Sequence, residues 1–293
     1  MNIEKLLQDF KDYKVNVEGK SSKSIDWYIR HINEFCKDMD INDYNTLINI
    51  NSQTIKDWLS ILVDRGNQPS SRNNKLSAVK QLFVFLEEEK DEDIDRKINK
   101  IKLAKITKKE TKYADETQME QLLVSTTEQR TKSAIAILNS TGVRFCEMIQ
   151  ITCADIDRGF AVIVGKGNKE RTIWFPPSCI KICKDYINGK RKKIIEKTKV
   201  ETDLLFISNK GNVIDPSNFT KSLKKSARRI GLYWSDEMSP HKLRHSCLTK
   251  KLNNGTPIHI VRDMAGHTNI QTTDRYSHTN EDMVRQYMLD EDK

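Results

Sequence analysis

Apolar residues recur at helical spacing through the first hundred positions. The runs are Ile3, Leu6, Leu7 and Phe10, then Ile25, Tyr28, Ile29, Ile32 and Phe35, then Ile55, Trp58, Leu59 and Leu62 ending at Gly66. A fourth passes through Leu76, Val79, Leu82, Phe83 and Leu86. Each run predicts a short amphipathic helix, and polar clusters at 21–24, 51–52 and 69–71 supply caps for the last three. Together they predict a small helical domain over 1–95. The following segment, 96–112, is rich in lysine, lacks glycine and has no clean apolar period, which predicts an extended basic connector. It reads equally as a solvated surface segment or as a strap along phosphates.

Beyond the connector, Asp115 and Gln118 form a capping pair ahead of Met119, Leu122 and Leu123. A helix through Ala134, Ile135 and Leu138 closes at Gly142. Over 160–175 the period changes, and two β-rich runs around Gly165-Lys166-Gly167-Asn168 predict a hairpin. Leu204 to Ser208 is a further strand candidate, and the chain turns helical again through Phe219, Leu223, Ala227 and Ile230. Near the end, Met283, Val284, Tyr287 and Met288 give a short helix one apolar stripe, marginal alone and in need of a partner surface. The expected fold is mainly α with a small antiparallel β-sheet: a helical domain over 1–95, a linker over 96–112 and an α+β domain over 113–293.

Composition adds a preferred partner class. The 293 residues carry a formal charge of +9, of which +1 lies in residues 1–110 and +8 in 111–293. Such a balance favours nucleic acid or another acidic surface. The six cysteines are scattered through apolar helical patterns, as expected of reduced, buried thiols. Only Cys179 and Cys183 share a helical face, without a second Cys or His pair to complete a zinc site, so no metal is expected. Neither a leader pattern nor a membrane-spanning apolar run is evident, and a cytoplasmic protein is expected.

The most informative chemistry lies in Ser239-Pro240-His241-Lys242-Leu243-Arg244. Ser is a good N-cap and Pro a favoured first helical residue, so His241 falls in the first turn, where free N–H groups and the helix dipole favour an anion. Arg244 follows three residues later, and a helix start presenting His and Arg suits a phosphate. Taken alone, the segment reads as well as a surface pair at a capped helix start. His267 follows Gly266 after a short helix beginning near Pro257, and Tyr276 stands in the polar run Thr272 to Tyr276.

Thr141-Gly142-Val143-Arg144, Gly165-Lys166-Gly167, His241 to His245, Ala265-Gly266-His267 and Thr273 to Tyr276 occur in one order along the chain. This order and spacing resembles the tyrosine recombinase (phage integrase) family over about 115–276, and the helical first half resembles that family's core-DNA-binding domain. The resemblance implies a site-specific DNA recombinase that cleaves and rejoins DNA through a 3′-phosphotyrosine and exchanges strands through a Holliday junction. It implies that Arg144 and Arg244 clamp the scissile phosphate, Lys166 protonates the leaving 5′ oxygen, and His241 assists the tyrosine or the phosphate. His267 would hydrogen-bond the phosphate, and Tyr276 would be the nucleophile. A phenol with a pKa near ~10 needs cationic neighbours and a base to attack at neutral pH, and this set supplies them without metal or cofactor.

The implied partners are double-stranded DNA and three further copies of the chain in a tetramer on paired sites, with accessory directionality factors compatible with the family. Arg72, Lys75 and Lys80 near the fourth helix and Lys100, Lys102 and Lys105 in the connector are expected phosphate contacts, with both halves clamping the duplex. The sequence departs from the family at Cys146, where Ser is frequent, and at Ala265, where Leu is commoner; neither replaces a reacting group. Glu147, Asp155 and Asp157 read as structural partners, and His245 as a packing residue or a support behind the site residues. Two other readings share the motifs: a type IB topoisomerase-like nicking-closing enzyme, and a DNA-binding module of the same fold that has lost catalysis.

Overall fold

The computed structural model describes residues 2–106, 112–165 and 170–266, and it divides into two compact units, Met1–Lys109 and Glu110–Lys293. Lys166, His267, Tyr276 and the apolar stripe at 283–288 lie outside the described residues.

The first unit is helical: α1 (Ile3–Asp12), α2 (Ser22–Asp38), α3 (Tyr44–Ile48), α4 (Ser52–Asp64), α5 (Pro69–Glu89) and the single turn α6 (Lys97–Lys100). The helix starts are chemically marked. Ser21 caps α2 through the amide of Ser24, Asn51 caps α4 through Gln53 and Thr54, and Pro69 opens α5. The apolar stripes converge on one core in which Phe35 meets Trp58 edge to face at 4.9 Å. The Trp58 indole donates to Asp38, which also receives both Nη atoms of Arg65 at 2.6 and 2.9 Å.

The start of the basic segment is packed. Ile94 and Ile98 are buried in the first core, Asn73 bonds both the amide and the carbonyl of Ala104 at 2.8 Å, and Lys80 Nζ donates to the carbonyls of Asn99 and Ile101. The first unit therefore continues beyond residue 95.

The second unit is built around α8 (Gln129–Thr141), which packs on α11 (Pro177–Tyr186) and on α14 (Pro240–Asn253). The other elements are α7 (Glu116–Ser125), α9 (Phe145–Met148), α10 (Cys153–Arg158), the strands β1 (Phe160–Val164) and β2 (Glu170–Trp174), α12 (Lys192–Thr198), α13 (Pro216–Arg229) and α15 (Ile258–Ala265). β1 and β2 pair antiparallel from Phe160↔Trp174 to Val164↔Glu170, so the expected hairpin brackets position 166. Residues 204–208 form no strand; single bridges join Thr152 to Leu204 and Ile207 to Val213. The chain enters this unit tied to α14, where Ser246 Oγ accepts the amide of Ala114 and Lys242 Nζ donates to the carbonyl of Lys112. Among the described residues no helix is long and apolar enough to cross a membrane.

Candidate active site

The site is assembled from three helix ends. α8 stops at Gly142, whose φ of +65° is costly for any residue with a Cβ, and whose missing side chain leaves α14 room: a Cβ there would meet Leu248 at 3.0 Å. The next turn delivers Arg144 to the start of α9. There the Glu147 carboxylate accepts the Arg144 amide at 2.8 Å and its Nη1 at 2.9 Å.

α14 begins as its sequence requires, with Ser239 Oγ accepting the Lys242 amide and Pro240 in the first position. His241 is exposed in that first turn, and Arg244, one turn on, is buried. Arg244 donates to the Gly142 carbonyl at 2.6 Å and to the Ala265 carbonyl at 2.7 Å. His245 lies buried, stacked on Tyr113 and hydrogen-bonded to Thr249, as its packing role requires.

The third end is the C-terminus of α15, closed by Gly266 at φ +60°. The last carbonyls of a helix lack partners within it, and here arginines supply the donors. Met264 accepts Arg171 Nε at 3.1 Å, Ala265 accepts Arg244 Nη2 at 2.7 Å, and Gly266 accepts Arg144 Nη2 at 3.2 Å. The structure thus brings Arg144 and Arg244 onto adjacent carbonyls, immediately before His267 in the chain. Arg144 keeps 29% of its side chain exposed and has guanidinium N–H groups to spare for an anion.

Arg171 was absent from the sequence-derived set. It stands on β2 and grips Glu147 with both Nη atoms, at 3.1 and 2.6 Å. A signal for it existed: Arg171 alternates with buried Ile173, so it occupies the inward face of a two-residue repeat, where a cation requires a partner. Burial pushes the Glu147 carboxyl's pKa up, but the bonds from Arg171 and from the Arg144 amide outweigh this, and it sits below the ordinary carboxylate range. The ionised carboxylate therefore stabilises the fold above its unfolded pKa, and that contribution is lost as pH falls through the lower native value. Glu147→Gln should destabilise the protein at pH 7 by ~3 kcal/mol or more, the scale for breaking a buried ion pair from one side. Urea titrations should show the gap to wild type closing as pH falls below ~4; a gap at pH ~3 equal to that at pH ~7 would exclude this role. Asp155 and Asp157 are structural too, as the N3 partner of Thr152 and an ion-pair partner of Lys184.

The expected phosphate contacts divide. Lys100, Lys102 and Lys105 are exposed, and Arg72 is half-buried. Lys75 is buried and ion-paired with Glu34 at 2.5 Å, so its ammonium serves the α2–α5 contact, and Lys80 is held by two backbone carbonyls. Both ammonium groups thus have structural partners within the first unit. A basic face missed in the sequence lies on α13, where Lys221 and Lys225 are exposed opposite buried Phe219 and Leu223.

With this geometry in place, comparison with known proteins decides the family. The phage integrase family model matches residues 112–283, and the phage integrase N-terminal SAM-like domain matches residues 7–90. The chain belongs to the phage integrase family. Tyrosine recombinase XerD of Halalkalibacterium halodurans is 29% identical over 287 residues, covering 95% of this chain and 94% of that protein. Tyrosine recombinase XerC of Anoxybacillus flavithermus is 29% identical over 300 residues, covering 98% and 97%. Among solved structures, XerH recombinase bound to its difH substrate is similar at a TM-score of 0.69 and 20% identity, over 95% of this chain and 83% of that one. Tn1549 transposon integrase in complex with a circular intermediate DNA is similar at 0.72 and 16% identity, over 97% and 98%. The integrase fold, mainly helical with a small antiparallel sheet, is the one the motifs implied.

Proposed function

We propose that this integrase-family protein is a site-specific recombinase that cuts and rejoins duplex DNA in the cytoplasm through a covalent link to Tyr276. The observation that carries the reading is the convergence of Arg144 and Arg244 on adjacent carbonyls of one helix end. Two guanidiniums fixed side by side suit the non-bridging oxygens of one phosphate. In the proposed reaction the Tyr276 oxygen attacks phosphorus, its proton passing to His241 or solvent. The bond to the 5′ oxygen breaks as Lys166 protonates it, and His267 hydrogen-bonds the phosphate with the arginines. The 3′-phosphotyrosine conserves the energy of the broken bond, so religation requires no nucleotide cofactor. Strand exchange follows when a 5′ hydroxyl from a second site attacks, which calls for four copies on two paired sites; accessory proteins would set direction.

The test starts from duplexes recovered by repeated binding selection, nicked so that the cleaved end is lost. A denaturant-resistant protein–DNA adduct, with Holliday junctions on paired intact sites, is the expected result. Bound DNA that never yields an adduct would overturn the reading. Binding itself should depend on salt: neutralising Lys100, Lys102 and Lys105 should each lower the slope of log affinity against log salt by roughly 0.9, whereas Lys75→Ala should lower stability and leave the slope alone. An unchanged slope in the triple variant would show these three lysines to be solvated only.

A further inference from the structure

We propose that Arg171 is a positioning residue of the phosphate clamp: it holds and offsets the Glu147 carboxylate so that Glu147 orients Arg144 without neutralising it. The inference rests on the reading of Arg144 as a phosphate ligand.

Glu147 is 4% exposed, and its two oxygens receive four donors. Oε1 takes Nη1 of Arg144 and Nη1 of Arg171, while Oε2 takes the Arg144 amide and Nη2 of Arg171. A carboxylate accepts about four hydrogen bonds, so the set is saturated. Without Arg171, half of that capacity and an undivided negative charge would face Arg144 alone. The Arg144 guanidinium would then be drawn into a closer pair, and a phosphate approaching it would meet the uncompensated carboxylate. The third contact of Arg171, from Nε to the Met264 carbonyl, fixes the helix end whose Gly266 carbonyl accepts Arg144. Its guanidinium lies so close to Gly266 that a Cβ there would stand 2.8 Å from Nη1. Arg171 also lies on β2, shortly after Lys166 in the chain, so one side chain ties the β1–β2 pair, the Arg144 turn and the end of α15 together.

The test is single-turnover adduct formation by the full-length protein on a nicked site containing either the natural phosphate or an uncharged methylphosphonate at the scissile position. Arg171→Ala should slow adduct formation by ~10- to 10²-fold, as loss of an outer-shell partner does at metal sites, with half-site affinity little changed. Arg171→Lys keeps the charge without the planar fork and should fall between. In an Arg144→Ala background, Arg171→Ala should add almost nothing, and its defect should shrink on the methylphosphonate, where clamping matters less. Adding Glu147→Gln to Arg171→Ala should recover part of the lost rate, because the uncompensated charge is gone; support of the fold alone would make the double variant worse. Additive losses with Arg144→Ala, or an equal defect on both substrates, would overturn the proposal. Absence of any adduct from the wild-type protein would instead bring down the functional reading beneath it.

Discussion

Tyr276→Phe is expected to abolish the covalent adduct while leaving DNA binding nearly intact. The substitution removes one hydroxyl and keeps the ring, so the arginines and the basic surfaces proposed to hold DNA are untouched. No other group in the proposed set forms a stable ester with phosphorus under denaturing conditions, which makes the effect close to complete. The measurement is a denaturing gel of the variant incubated with nicked DNA, beside a filter-binding titration. Persistence of the adduct would move the assignment to Tyr233 or Tyr287. Tyr233 is 83% exposed, with Lys112 Nζ 5.4 Å from its ring centroid.

Arg144→Ala and Arg244→Ala should each slow cleavage by at least ~10²-fold, the effect of losing one preorganised donor to a developing negative charge. Their structural costs should differ. Arg244 is buried on the carbonyls of Gly142 and Ala265, and its removal leaves both short of a donor, at about 1–3 kcal/mol for each buried group. Arg144 is more exposed and shares its carboxylate with Arg171, so its loss should disturb the fold less. Thermal melts beside single-turnover rates separate the two contributions. Cleavage within a few-fold of wild type in a folded Arg244→Ala protein would remove Arg244 from the clamp, since one lost clamp donor predicts far more.

Features written in local chemistry were readable from the chain. Asp115 with Gln118, Ser239 with Pro240, and Gly142 each mark a helix end by what their own atoms do to nearby backbone, and the structure has all three. The short helix α3 escaped because five residues with one buried position, Leu47, show no period. The run at 204–208 suggested a strand because Leu205, Phe206 and Ile207 are all apolar, and all three are buried. Its backbone is satisfied piecemeal: Arg191 donates to the Leu204 carbonyl and Arg130 to the Ile207 carbonyl, while the Leu205 amide donates to Ile151 and the Ser208 amide to Asn212.

The same limit applies to the site. Motif order pointed to Arg144, His241 and Arg244, and the two arginines do share a helix end. Lys75 and Arg171 depend on partners distant in the chain, Glu34 and Glu147; the strand repeat marks Arg171 as facing inward, but neither residue bears a local mark of which carboxylate it meets. The three most C-terminal candidates, His267, Tyr276 and the apolar stripe, rest on the sequence pattern.

The end of α15 has an electrical consequence. Crowded guanidinium groups repel one another, and one carboxylate apiece would cancel their charge and turn away an incoming phosphate; here Arg144 and Arg171 share the single Glu147 carboxylate. Carbonyl groups at a helix terminus carry roughly half an elementary charge in sum. Three such dipoles help restrain Arg144, Arg171 and Arg244 beside that shared carboxylate, and each removes less positive potential than a further ion would. A pocket built this way is ordered yet still attractive before DNA arrives. A phosphate that replaced the Gly266 carbonyl on Arg144 would release a neutral partner instead of stranding a second ion.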